Sequence, residues 1–366
     1  MSLPPSARPR PTRPSTSLGG ASAALLLLVA AAAVDTVPPA GLAAASADLR
    51  AETLRSVGAI PPFLAGEFED ASGYALRPDG SALVFDRRRH RVYAIDAART
   101  SVKPLVEIGY ETGRVLRPTS FDVAPSGDFI VGDAPGRHPR ISVFDSAGRV
   151  LNTFPVPASA APRITIDTLV LDGIAAARYT GETVLVSQPE RGVLVTEYSV
   201  TGAVQRQFGE LRRTGLEHEP DVHLAYNAAL PLPAHDGGVY VVFLAGQPVF
   251  RKYSATGTLE FERAIQGRAL DPIVLSMPTQ WPRRTVDDTS YPLVRPTIRT
   301  AAVDPAGRLW IATQAAHVYV YDTDGEKIRT FQLAGAGILV PASMWFAPDG
   351  RLLVTPGLFD FAPPFG

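Results

Sequence analysis

Arginine is the chemically conspicuous residue of this chain because it comes in runs. Arg87-Arg88-Arg89-His90 and Arg137-His138-Pro139-Arg140 form two clusters, and Arg283-Arg284 forms a third. Guanidinium groups donate paired hydrogen bonds to planar anions, so converging clusters would make a cationic mouth suited to carboxylate, phosphate or acidic sugar. Arg117 and Arg295 each precede a proline, and Arg299 follows soon after the second. These three are the arginines expected to point inward if the segments they introduce line a channel. Trp281 lies beside Arg283 and adds an aromatic surface. The candidate ligand-binding set is therefore Arg117, Arg137, His138, Trp281, Arg283, Arg284, Arg295 and Arg299. The same runs also fit a solvated surface with Asp and Glu partners nearby.

Other chemistry is thinly represented. Glu217-His218-Glu219 and His223 bring two imidazoles and two carboxylates into one stretch, but this spacing in a loop fixes no metal geometry, and no metal site is expected. Cysteine is absent, which excludes disulfides, a thiol nucleophile, thiolate-bound zinc and iron–sulfur clusters. Neither a Gly-x-Ser-x-Gly elbow nor a phosphate- or dinucleotide-binding glycine fingerprint occurs, so no cofactor is expected. Asp86, Asp133, Asp145 and Asp322 close apolar runs and read as turn formers.

The elements that would position these groups are short. Apolar residues make up 46% of 366, enough for a substantial core, and 34 Pro with 31 Gly punctuate the whole chain. The formal net charge of -1 supplies no field toward nucleic acid, which argues against a DNA or RNA partner. At the N-terminus, Arg8, Arg10 and Arg13 precede an apolar stretch, Ala21 to Val34, and then small residues including Ala45-Ser46-Ala47. That order reads as an export signal over residues 1–47, with an uncleaved anchor as the alternative. The apolar stretch falls short of the ~20 residues that span a bilayer. A periplasmic or extracellular protein is expected, without stable membrane insertion once the signal is removed.

Past the leader, one pattern returns. A turn appears as Arg77-Pro78-Asp79-Gly80, Ala124-Pro125-Ser126-Gly127, Asp304-Pro305-Ala306-Gly307 and Ala347-Pro348-Asp349-Gly350, with weaker copies at Gly181 and Gly237. A second turn follows in phase at Asp145 to Gly148, Ser199 to Gly202, Ser254 to Gly257 and Asp322 to Gly325. Each second turn is followed by a phenylalanine: Phe154, Phe208, Phe261 and Phe331. Proline presets one side of such turns and glycine supplies the positive φ of the other. Four short strands per repeat, recurring every roughly 40 to 70 residues, are the signature of propeller blades. The last repeat, from Ser343 to Phe361, lacks room for a fourth strand, and Phe63 to Phe68 is an apolar segment with no repeat of its own. Pairing the two would leave no open edge. The expectation is an all-β, six-bladed β-propeller over residues 62–366, preceded by a lead-in over 48–61.

Pro118 through Phe154 resembles the unit of NHL-repeat propellers: an apolar strand, a Gly turn, a strand ending at Asp133, then Arg140-Ile141-Ser142-Val143-Phe144-Asp145 and a Gly before the closing Phe. Pro296 through Phe331 resembles it more loosely. The resemblance implies six blades and a binding platform. It is also similar to propellers of the TolB and gluconolactonase types, but these last hold an axial cation with carboxylate and Asn side chains, and this chain has only Asn152 and Asn227. Both regular turns fall on one face of such a ring. The opposite face receives the long links Gly109 to Pro118, Pro157 to Asp167, Leu211 to Asp221, Gly267 to Pro296 and Ala334 to Pro341, and function is expected there. The longest holds Trp281, Arg283, Arg284, Asp287, Asp288 and Tyr291, as a lid or a packing flap. Two functions stay open: a non-catalytic binding or scaffold protein for a small anionic or carbohydrate ligand or a protein partner, and a hydrolase or lyase, metal-assisted or not, working at the channel mouth.

Overall fold

The computed structural model describes residues 50–135, 138–157, 164–166, 169–171, 176–286 and 289–365. The leader, Arg137, Asp287 and Asp288 lie outside the described residues. Among the described residues no helix is long and apolar enough to cross a membrane.

Short apolar runs between glycine turns fold as antiparallel strands that pair in chain order. The first sheet comprises Ala71–Leu76, Ala82–Asp86, Arg91–Ile95 and Val102–Val106, and the second Ser120–Val123, Phe129–Asp133, Arg140–Phe144 and Val150–Pro155. The third comprises Ala177–Tyr179, Thr183–Ser187, Val195–Ser199 and Val204–Phe208, and the fourth Ala229–Pro233, Val239–Phe243, Val249–Tyr253 and Leu259–Ala264. An eight-stranded sheet follows. It starts with Ile298–Val303, Leu309–Thr313, Val318–Tyr321 and Lys327–Ala334, passes through Glu52–Ala59, and ends with Phe359–Phe361, Leu352–Thr355 and Ser343–Phe346. Residues from or beside the first strand of each set line one common cavity, so the sheets radiate from a single axis. The protein is a β-propeller.

Its core is divided among the gaps between sheets. Leu83, Phe85, Phe129 and Phe144 fill the gap between the first and second, and Ile130, Val143, Val184 and Tyr198 the next. The series ends where Ala347, Leu353 and Leu358 pack on Tyr74, Val84 and Ile95, bringing the last strands against the first sheet. The paired Phe and Gly of the repeat have a direct cause in this packing. Gly202 (φ +88°) and Gly257 (φ +82°) lie against Phe154 and Phe208 of the preceding sheets, where an added Cβ would come within 2.5 Å and 2.9 Å of the ring-bearing carbons. Phe154, Phe208 and Phe261 thus each seat the next sheet's turn, and only glycine combines that approach with a left-handed backbone.

The closing strand differs from the sequence expectation. Phe63 to Phe68 pairs with nothing in a sheet: Pro62–Ala65 is a helical turn that buries Leu64, while Phe68 packs edge-on against Tyr93 at 5.3 Å. Pro61 and Pro62 lack backbone N–H groups and preset φ, so they suit a helix start and cannot serve a ladder. The closing strand is Glu52–Ala59, inside the stretch expected as lead-in. It runs parallel to Lys327–Ala334 and antiparallel to Phe359–Phe361.

The buried aspartates also do more than form turns. Asp145 and Asp322 do fold their turns, accepting N–H groups two and four residues on. Asp86, which also caps its own turn by accepting the Arg89 N–H at 3.0 Å, and Asp133, both fully buried, fasten incoming links. Asp86 accepts from the N–H groups of Glu69, at 2.8 Å, and Asp70. Asp133 accepts from the Leu116 N–H at 2.7 Å and from Arg140 at 2.8 Å.

Candidate functional site

Five of the sheet-to-sheet links, with the second-to-third-strand links, gather at one end of the axis. The cavity, of about 190 Å³, opens toward that end. Its floor is set by Trp345, whose indole N–H reaches across the channel to the carbonyl of Val123 at 3.4 Å, near the regular-turn end of both inner strands. Part of its roof is Ile164, from the short hairpin Ile164–Ile166/Leu169–Leu171. The next residue, Thr165, donates its N–H to the carbonyl of Val294 in the long link at 2.7 Å. Two elaborated links therefore meet over the mouth.

Four charged side chains line the space: Arg87, Asp122, Arg178 and Arg299. Arg87 is already committed, donating two hydrogen bonds to Asp70 Oδ2 at 2.8 and 3.1 Å. Asp122, on the inner strand of the second sheet, accepts the Tyr179 N–H at 2.8 Å and so bridges to the inner strand that carries Arg178. Removal from water pushes its carboxyl above the ordinary range, and the charge of Arg178 offsets part of that rise. Arg178 also donates to its neighbour's carbonyl, Ala177 O, at 3.1 Å. Around these charges stand aromatic faces (Tyr74, Phe121, Trp345) and hydroxyls. Among the described residues, the buried hydroxyls of Thr119 and Ser120 find no hydrogen-bond partner. The arrangement is an aromatic-walled pocket with three guanidinium groups, that of Arg87 held by Asp70, one carboxyl, and the hydroxyls of Thr119 and Ser120. It suits a small anion that also carries hydroxyl groups.

Of the residues expected from sequence, Arg299 lines the cavity, Arg137 lies outside the described residues, and the others lie elsewhere. Arg117 is exposed, with a left-handed backbone (φ +57°) and its N–H directed to His90 Nδ1 at 3.4 Å. Arg295 and Arg284 are exposed on the loop-rich face, as is His138, whose N–H caps a turn at Pro135. Arg283 pairs with Asp221 and donates to Ser290. Trp281 packs edge-on against Tyr226 at 5.7 Å, beside a small cluster of Val222, Ala225, Ala245 and Val294. The long link is thus held as a packed flap against the helix Pro220–Tyr226. Burial and the Arg117 charge push His90 below its ordinary value, so the imidazole of the first basic run is neutral at neutral pH.

Glu217 caps its own loop, accepting from the N–H groups of Thr214 and Gly215, and His223 Nδ1 shares a hydrogen bond with Thr214 Oγ1 at 2.7 Å. His218 is exposed. Sequence reasoning missed Arg178 and Asp122. A usable signal existed: each is a lone charge flanked by apolar residues inside a first strand, Ala177-Arg178-Tyr179 and Phe121-Asp122-Val123.

No protein-family model matches the chain, and no curated protein matches it. Among solved structures it is similar to virginiamycin B lyase from Staphylococcus aureus, at 10% identity and a TM-score of 0.47, over 81% of this chain and 85% of that one. It is similar also to the WD40 β-propeller domain of Doa1, at 8% identity and a TM-score of 0.45, over 81% of this chain and 94% of that one. Likeness at this level reaches neither ligand nor activity.

Proposed function

We propose that this chain is a six-bladed, NHL-repeat-like propeller, exported to the periplasm or beyond, that binds a small anionic ligand in its channel without transforming it. The eight-stranded sheet reads as two blades sharing the strand Glu52–Ala59, which brings the count to six. Export rests on the leader composition. The observation that carries the binding reading is the convergence of Arg178 and Arg299 in a cavity floored by Trp345 and partly roofed by Ile164. Small sugar acids fit this chemistry first, since a carboxylate meets guanidinium, ring faces meet aromatic side chains, and hydroxyls meet Thr119 and Ser120.

The test is equilibrium binding of glucuronate, formate and inorganic phosphate, read by Trp345 fluorescence and calorimetry. Glucuronate is expected to bind most tightly. Arg178→Ala is expected to weaken it by tenfold or more, the consequence of losing a charge-assisted hydrogen bond worth about 1.5–3 kcal/mol. If none of the three anions binds, the reading fails.

A second reading, a hydrolase or lyase, draws on one observation: Asp122 is a desolvated carboxyl beside Arg178, the environment in which acid–base groups are tuned. Consumption of the bound ligand in the same calorimetric cell, lost in Asp122→Asn, would select it.

A further inference from the structure

We infer that capture of an anion in the channel is coupled to uptake of a proton by Asp122. The inference rests on the anion-binding reading above and specifies how that site is regulated. Asp122 and the bound anion would share one small cavity, and both would face Arg178. Two negative charges confined there repel each other, because water cannot screen them as it does at the surface. The cheaper arrangement is a neutral carboxylic acid and one anion. Protonated, Asp122 can still accept the Tyr179 N–H and gains an O–H to donate to the ligand.

The surroundings favour this exchange. From the inner strand of the third sheet only Arg178 faces Asp122. From the first sheet come Tyr74, whose hydroxyl is turned onto Asp360 at 2.6 Å, and Arg87, held by Asp70. Behind it in its own sheet, Asp133 is occupied by Arg140 and by the Leu116 N–H. The strand Ser343–Phe346 brings no charge, and across the cavity stands Arg299. Burial already raises the carboxyl, and the repulsion of a neighbouring anion raises it further.

Glucuronate, which does not titrate above pH 5, is the probe. Its Kd in the wild-type chain, measured from pH 5 to pH 8, is expected to rise by up to tenfold per pH unit over part of that range. Calorimetry in buffers of different ionisation enthalpy is expected to find up to one proton taken up per anion. In Asp122→Asn, which carries a permanently neutral side chain, the Kd should stay flat and the proton uptake vanish. Binding with a pH-independent Kd and no proton uptake in the wild-type chain would overturn the coupling while leaving the binding site standing. Absence of binding at every pH would instead sink the site and the coupling with it. Because absence of proton uptake in the wild-type chain overturns the coupling on its own, the inference stays falsifiable if the variant folds poorly.

Discussion

Asp360→Ala is expected to lower the unfolding free energy by about 3 kcal/mol, at the low end of what removing one partner of a buried ion pair costs. Asp360 is where the ring is pinned shut. Its carboxylate accepts the Tyr74 hydroxyl at 2.6 Å and pairs with Arg99, whose guanidinium also donates to the carbonyl of Ala59 at 3.0 Å. One side chain thus joins three pieces: the inner strand of the first sheet, the last strand of the chain, and the end of Glu52–Ala59. Burial, and then the charge of Asp360, push the Tyr74 hydroxyl well above its ordinary value, so it stays a donor across the physiological range. Alanine leaves Arg99 and the buried Tyr74 hydroxyl without this acceptor, a greater loss than the hydrogen bonds alone. Asp360→Asn keeps an acceptor for Tyr74 and should cost less, and Tyr74→Phe about 1 kcal/mol. Urea unfolding followed by tryptophan fluorescence measures all three. A loss below 1 kcal/mol in Asp360→Ala would place the closure energy in the strand pairing of Glu52–Ala59 instead.

That pin also explains what could be foreseen from sequence. The repeat was legible because its turns impose glycine and proline at fixed offsets and its closing phenylalanines must meet those glycines, as Phe154 meets Gly202. Closure was legible as a need, but not its agent. Glu52–Ala59 shows little apolar character, since only Leu54 among its larger side chains joins a core cluster, and its hold comes from backbone pairing on both sides. The more apolar Phe63 to Phe68 follows Pro61 and Pro62, which start a helical turn there and keep it out of any sheet. At the site, runs of arginine were the visible feature. Runs belong to exposed loops, where local partners absorb them, as Asp221 absorbs Arg283 and Asp70 absorbs Arg87. A charge facing the channel from an inner strand is single, because its neighbours on the strand face the sheet interior, whereas Arg87 reaches the cavity from a second-to-third-strand link. Arg178, Asp122 and Arg299 all have that form.

Glu190→Gln is expected to stabilise the protein at pH 8 by at most about 3 kcal/mol and to change little near pH 4. Glu190 sits in the short helical turn Pro189–Arg191, just beyond Ser187, which lines the cavity. Its side chain is largely buried, and Oε2 finds no hydrogen-bond partner among the described residues. Burial pushes the carboxyl from 4.5 to about 7, while its own backbone N–H and the charge of Arg191 oppose the rise. The sign follows from proton counting. Between about 4.5 and 7 the folded chain keeps a proton that the unfolded chain has released, so stability falls as pH rises through that window and is level above it. Glutamine is neutral throughout and escapes the loss. Other carboxyls act in the opposite sense in acid: the Ser81 hydroxyl lowers Asp79, and the Thr100 hydroxyl with the Ser101 N–H holds Asp96 at about 2. Their contributions disappear only as pH falls through those lowered values, and they cancel in the difference between variant and wild type. The measurement is therefore that difference in unfolding free energy at pH 4, 6 and 8. A difference that does not grow with pH would mean that the Glu190 carboxyl reaches water in the folded chain.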